Sequence, residues 1–155
     1  MTRQTIDIRI AVAADAQRLA VLAGELGYPT TTEQMLKRLE AASVESRQRI
    51  FVAELDSVVG WIHVALVLSL LSELSAEIRG LVVDELHQGA GIGSQLVATA
   101  EKWAGERGCT RIRVRTNVLR EKARVFYNRL GYQVTKRQEI FDKALTVSDR
   151  ASGHT

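Results

Sequence analysis

Apolar and polar residues alternate over Ile6-Asp7-Ile8-Arg9-Ile10, a period of two that predicts a first strand. The period then changes. Leu19, Leu22, Ala23 and Leu26 recur at helical spacing behind Asp15, which can cap that helix, and Gly27 with Pro29 ends it. Thr30 and Glu33 stand at capping-box spacing for a second helix with Met35, Leu36 and Leu39 inward. Strands are expected over residues 49–55, 58–68 and 73–84, the first two joined by a turn at Asp56-Ser57. A third helix, over 91–107, carries Ile92, Leu96, Val97, Ala100 and Trp103 on one face and stops at Gly108. Residues 111–116 read as a strand. Residues 120–130 read as a helix with Ala123, Phe126, Tyr127 and Leu130 on one stripe, stopped by Gly131. Residues 132–143 are expected to pair back as strands, and the polar tail 148–155 to fray. The order β-α-α-β-β-β-α-β-α-β places antiparallel strands before a β-α-β crossover, whose two strands should be parallel. No repeat, low-complexity segment or linker interrupts it, which predicts one domain over residues 1–155.

Composition narrows the class. With 46% hydrophobic and 25% charged residues the chain can bury a core. The longest apolar run, 64–71, is interrupted by Ser69 and falls short of the ~18 residues of a membrane span. Met1-Thr2-Arg3-Gln4 is not followed by an apolar signal region, so secretion is not expected. The lone cysteine, Cys109, fits a reducing cytoplasm. His63, His87 and His154 show no metal-ligand spacing, so no metal is expected. A net charge of +3 is too small an excess for a nucleic-acid footprint. Arg111, Arg113 and Arg115 alternate with Ile112 and Val114 and so share one strand face. That face is either solvated or in contact with an anionic ligand.

The segment with most chemical content is Leu81-Val82-Val83-Asp84-Glu85-Leu86-His87-Gln88-Gly89-Ala90-Gly91-Ile92-Gly93-Ser94, a strand, a loop and the start of a helix. Glycines at 89, 91 and 93 let a ligand approach the backbone, and the free N–H groups of a helix start attract an anion such as a pyrophosphate. The helix dipole contributes only ~0.3–1 kcal/mol at an exposed site, so several aimed N–H groups would have to carry the binding. The alternative is a structural turn that allows tight helix–strand packing. A P-loop would need a Lys after the glycines, and none follows. A dinucleotide fingerprint would need its third glycine where Ser94 or Leu96 stands, and an acidic residue where the arginine-bearing strand runs.

Gln88-x-x-Gly91-x-Gly93 instead resembles the [Q/R]-x-x-G-x-[G/A] motif of the GNAT superfamily of acetyl-CoA-dependent N-acetyltransferases. Asn117, the pair Phe126-Tyr127 and the stop Gly131-Tyr132 fall where that superfamily has an Asn, an aromatic-Tyr pair and a Gly-aromatic stop. The match in motif covers residues 76–132 and is topological before that. Gln88 replaces the commoner Arg, which removes one charge from the phosphate cradle. The resemblance implies an α+β (α/β) fold: a mixed central sheet, mostly antiparallel with a splayed parallel pair, with helices on both faces. It implies a bulge in the strand before the turn, and acetyl-CoA as cosubstrate. Its pantetheine would lie against Leu81, Val82 and Val83, and its pyrophosphate on the N–H groups of Gln88, Gly89, Ala90, Gly91, Ile92, Gly93 and Ser94. Asn117 would bond the pantetheine arm or hold the splayed strand; otherwise it is a turn residue. Tyr127 would assist the leaving thiolate, unless it is simply core. Many proteins of the superfamily form homodimers, and the same pairing is an expectation here.

The acceptor amine has to lose a proton before attack, since a lysine-like amine has a pKa of ~10. Glu77, on the strand feeding the turn, is the first candidate base. Under strict alternation it shares a face with Arg79, Leu81 and Val83, a phase that a bulge would shift. Glu73 and His63 follow it, and an ordinary ion-paired carboxylate is the alternative for Glu77. The backbone N–H of Val83 could polarise the thioester carbonyl. Tyr28, in the loop between the first two helices, is placed by the resemblance near the acceptor pocket, although Gly27 and Pro29 suffice as helix stops. The expected reaction is transfer of acetyl to the primary amine of a small molecule by direct attack in a ternary complex. Acetylation of a protein N-terminus or lysine, or acetyl-CoA sensing without catalysis, stand as alternatives.

Overall fold

The computed structural model describes residues 5–115 and 121–146. They belong to two compact units, Met1–Leu119 and Arg120–Thr155. The first unit holds β1 (Asp7–Ile10), α1 (Ala16–Glu25), α2 (Thr32–Ser43), β2 (Gln48–Glu54), β3 (Val58–Val67), β4 (Ser75–Val83), α3 (Ile92–Glu106) and β5 (Ile112–Val114). The second holds α4 (Glu121–Arg129).

The five strands form one sheet in the order β1-β2-β3-β4-β5. Neighbours are antiparallel except β4 and β5, which are parallel and joined by the α3 crossover. The expected mixed sheet with one parallel pair is therefore present. α1 and α2 cover one face, where Leu19, Leu22 and Leu39 meet Ile50, Val52 and Val82, with Met35 and Trp61 at the margin. α3 covers the other. A Cβ placed on Gly60 would come within 3.2 Å of the Leu96 side chain and 3.4 Å of Ile92, so a residue without a side chain sets how closely α3 lies on β3. Leu22, Ile62 and Leu96 are fully buried, and truncating any of them to Ala should cost about 2–5 kcal/mol.

The helix stops read from sequence are built as expected. α1, α3 and α4 each end in a left-handed glycine, Gly27, Gly108 and Gly131. The following residue donates back to the third-last helical carbonyl: Tyr28 to Ala23, Cys109 to Ala104 and Tyr132 to Tyr127. The helix starts differ from expectation. α2 is capped by Thr31, whose hydroxyl accepts from the Gln34 N–H at 3.1 Å while the Gln34 side chain accepts from the Thr31 N–H. The box therefore sits one residue beyond Thr30 and Glu33, among three successive threonines that each offer a hydroxyl.

Asp15 does not cap α1 with its side chain. A short 3-10 turn, Ala13–Asp15, precedes the helix, and the buried carboxylate accepts from the Val12 N–H at 2.8 Å and from both terminal nitrogens of Arg9 at 2.9 Å. Arg9 also donates to Glu54 at 3.1 Å. The bonds from Arg9 outweigh burial and hold the Asp15 carboxyl below its ordinary range. The same bonds raise the guanidinium.

No strand forms over the described residues 132–143. Val134, Ile140 and Phe141 are exposed, and the polar run Thr135-Lys136-Arg137-Gln138-Glu139 breaks the alternation on which a half-buried strand depends. Among the described residues no helix is long and apolar enough to cross a membrane.

Asp15→Ala is expected to cost about 1–3 kcal/mol at neutral pH, the worth of buried hydrogen bonds to a charged group. Because the folded carboxyl titrates below its unfolded value of ~3.9, its contribution is complete above that pH and fades as pH falls through the lower folded value. Denaturant titrations of the two proteins should therefore draw together as pH falls below ~3.9; a gap that does not narrow in acid would contradict the assignment.

Candidate functional site

The pairing of β3 with β4 slips by one residue in the middle of the strands. His63 lies opposite Gly80, but Val64 lies opposite Ile78, so Arg79 has no partner. This is the bulge expected in the strand before the turn. It changes which residues share a face. Trp61 pairs with Val82, and a Cβ on Gly80 would fall 2.8 Å from the Trp61 ring, so Gly80 and Val82 both look toward α1 and α2. Below the bulge Glu77 lies opposite Ala65, which follows Trp61 and His63 on the same side of β3. Glu77 therefore shares the α1/α2 face with Gly80 and Val82. Leu81 and Val83 point to the α3 side, and the strict-alternation grouping of Glu77 with them does not hold.

β4 and β5 pair only over Ala76–Ile78 and Ile112–Val114. β4 then runs on through Leu81, Val82 and Val83 with no β5 partner among the described residues. The Asp84 N–H donates to the Val59 carbonyl at 2.8 Å, which makes Gly60 and Val83 a pair that does not exchange ladder bonds. The backbone groups of Val83, and of Leu81 two residues before, thus face away from β3, toward an edge that no described strand occupies. Those of Val82 face Trp61, and its side chain is in the core.

Asp84 begins the turn. Its carboxylate accepts from the Leu86 N–H at 3.0 Å and lies 3.6 Å from Arg18, which also donates to the Val58 carbonyl. Residues Glu85–His87 make a 3-10 turn, and the Gln88 amide donates back to the Val83 carbonyl at 3.3 Å. The Gln88 side chain thus ties the loop to the strand end. Gly89 and Gly91 are both left-handed, with φ of 86° and 83° and open space where a Cβ would sit. The first bond of α3 runs from the Gln95 N–H to Gly91, and no side chain caps the helix start. The N–H groups of Ile92, Gly93 and Ser94 precede that ladder and are available to an anion. Ile92 buries its side chain under the sheet while its backbone stays at the turn.

The polar groups of the α1/α2 face gather where β4 and β5 part. Glu77 is held by Arg115 at 3.2 Å and Arg79 at 3.7 Å, one on each oxygen. His63 Nε2 lies 2.7 Å from the Gln48 side-chain oxygen. Burial first, and the nearby Arg79 charge second, lower its pKa, so the ring is neutral at pH 7. Glu73 accepts from the Thr110 hydroxyl at 3.4 Å. The roles of Gln48 and Arg79 were not legible beforehand. One is brought in by strand register from fifteen residues away, and the other by a bulge.

In the second unit Tyr127 is buried on α4, with ring centroids 5.0 Å from Phe126 and 5.5 Å from Tyr132, both edge-on. Burial pushes its phenol up to about 12. Asn117 lies outside the described residues. Tyr28 is exposed, and Cys109 is partly buried with its thiol pushed up by burial.

The bulge, the parting strands and the uncapped glycine turn can be set beside known proteins. The model of the acetyltransferase (GNAT) family matches residues 9–132. The chain belongs to the GNAT family. No curated protein sequence matches it. Among solved structures, this GNAT chain is similar to a transcriptional regulator from Bacillus halodurans C-125, with 25% identity and a TM-score of 0.79 over 90% of this chain and 100% of that one. It shares its fold with the aminoglycoside 6'-N-acetyltransferase of Acinetobacter baumannii, at 17% identity and TM-score 0.81 over 92% and 100% of the two chains. The same holds for the glucosamine-6-phosphate N-acetyltransferase of Arabidopsis thaliana, at 23% identity and TM-score 0.76 over 90% and 100%. GNAT proteins use acetyl-CoA, and the glycine turn with its uncapped N–H groups is a chemically fitting cradle for a pyrophosphate.

Of the three tyrosines, one should ionise late, near pH 12 instead of 10. A raised folded value means the phenol stays neutral and stability is unaffected below pH 10, then falls as pH rises from 10 toward 12. An ultraviolet titration in which all three ionise together near 10, with the fold intact by circular dichroism, would contradict the burial of Tyr127.

Proposed function

We propose that this protein transfers the acetyl group of acetyl-CoA to the primary amine of a small molecule, by direct attack in a ternary complex. The observation that carries the reading is the conjunction, in one strand and its following turn, of an open β4 edge with an uncapped, glycine-lined helix start. A glycine turn alone would serve packing. The parted strands would add a slot for an extended chain, with the Leu81 and Val83 N–H groups turned toward it and the Val83 carbonyl already accepting from Gln88. Leu81 and Val83 would hold the pantetheine arm there, with Val82 fixing the strand to the core. Gly89, Ala90, Gly91, Ile92, Gly93 and Ser94 would receive the pyrophosphate through their N–H groups, with Gln88, whose own N–H donates to the Glu85 carbonyl at 3.5 Å, shaping the loop beside them, and Asn117 would bond the arm or the departing strand.

Acetyl-CoA supplies an activated thioester. The Val83 N–H, turned out of the β3 ladder, would polarise its carbonyl. Tyr127 would attend the sulfur. With a pKa near 12 against ~8.5 for a thiol, its proton stays on the phenol through the neutral range, so its contribution is a hydrogen bond to the developing thiolate. For the acceptor amine, Glu77 remains the first base and Glu73 the next; His63 is supported by its burial and the nearby Arg79 charge, which favour the neutral ring, and by its standing outside the ion pairs that hold Glu77.

Thiol release from acetyl-CoA in the presence of amines tests the reading. Release with a small amine is expected; release only with peptides would favour a protein acceptor, and tight acetyl-CoA binding without release would favour a sensor. Tyr127→Phe should lower kcat by about 10-fold or more, the worth of a hydrogen bond to a charged group, while calorimetry still detects acetyl-CoA binding. An unchanged kcat would remove Tyr127 from the chemistry. In Glu77→Gln the acidic limb of the pH–rate profile should disappear; if it disappears in His63→Gln instead, the base is His63.

A further inference from the structure

The arginine row of β5 and the bulge of β4 converge. Arg113 lies opposite Glu77 in the parallel register, and Arg115 bonds the same Glu77, so the odd-numbered side chains of β5 lie on the α1/α2 face. Arg79, displaced by the bulge, meets Glu77 from β4 and lowers the pKa of His63 by its charge. Among the described residues of the first unit, the carboxylate bonded within this group is Glu77, which takes both Arg79 and Arg115, while Glu73 lies before the start of β4 and accepts from Thr110. Arg79, Arg113 and Arg115, with Arg111 at the foot of the strand, outnumber them. The excess of positive charge is thus concentrated where β4 and β5 begin to part. From there β4 leads to Val83, about 13 Å farther at the rise of an extended strand.

We infer that the acceptor carries an anionic group, a carboxylate or a phosphate, which Arg79 and Arg113 bind on the α1/α2 face while its amine is directed toward the Val83 end of β4. This rests on the acetyltransferase reading above and narrows its substrate class. Guanidinium groups suit such anions because their planar forks offer paired N–H donors. One carboxylate between two arginines keeps the cluster ordered before the acceptor arrives and leaves net positive charge for it. A polycationic amine would meet like charge at this point, and like-charge juxtaposition works against binding.

The test is thiol release from acetyl-CoA with matched acceptors: glucosamine 6-phosphate against glucosamine, and β-alanine, glycine and lysine each against its amide, with spermidine and kanamycin as cationic controls. In any pair that reacts, the anionic member is expected to have at least a 10-fold higher kcat/KM, expressed mainly in KM. Preference confined to the phosphate pair, or to the carboxylate pairs, identifies which anion is bound. Arg79→Gln and Arg113→Gln should bring the two members of that pair to within 3-fold of each other, and Arg113→Lys should restore part of the preference; melting curves check that each variant is folded. Equal or better turnover of the uncharged or polycationic amines would overturn this inference and leave acetyl transfer standing. No release with any acceptor would overturn both.

Discussion

A single unpaired residue in β4 governs the geometry of the site. Backbone hydrogen bonding is obligatory in a buried sheet, so a strand that carries one extra residue has to leave it outside the ladder and turn its side chains by one phase. Arg79 is that residue. Before it, β4 is held on both sides, by β3 and by β5; beyond it, β4 pairs with β3 and with no other strand among the described residues. The bulge adds local twist at the point where the strands separate. It also reverses the parity of the strand, so that Glu77 and Val82 share one face while Leu81 and Val83 turn to the other.

The rest of the first unit secures that strand. Val82 is packed into the core under α1 and α2 beside Trp61, and Gly80 lacks a side chain where the Trp61 ring lies. On the opposite face Gly60 allows α3 to come close, which fixes where its first turn emerges. Arg18 joins the Val58 carbonyl to Asp84, and Asp84 in turn holds Leu86. The glycine turn is therefore anchored at its start and loose in side chains at its centre. A phosphate-binding loop benefits from that combination, because its N–H groups are pre-aimed while its surface stays open.

Electrostatics divides along the same strand. The Val83 end presents neutral backbone N–H groups and, past the turn, a helix N-terminus. The other end presents guanidinium groups around one carboxylate, with a neutral histidine beside them. Arginine stays charged at any physiological pH, so this asymmetry is permanent.

Local signals in the chain determined much of this protein. Period-two and period-3.6 patterns marked each strand of the sheet and each helix. Gly27, Gly108 and Gly131 marked helix ends because the left-handed cap is a property of the residue itself. Gln88, Gly91 and Gly93 marked the turn, and the crossover rule assigned β4 and β5 as parallel. Tertiary structure decided what depends on a partner distant in sequence. Thr31 caps α2 where Thr30 has equal chemistry. Asp15 turns from its helix to Arg9, a contact across two elements. Residues 132–143 alternate in part yet form no strand over the described residues, because a strand exists only with a neighbour to pair with. The face of Glu77 and its two arginines followed from Arg79 falling out of register with β3. Register is set by pairing between strands, and no periodicity within one strand can reveal where it slips.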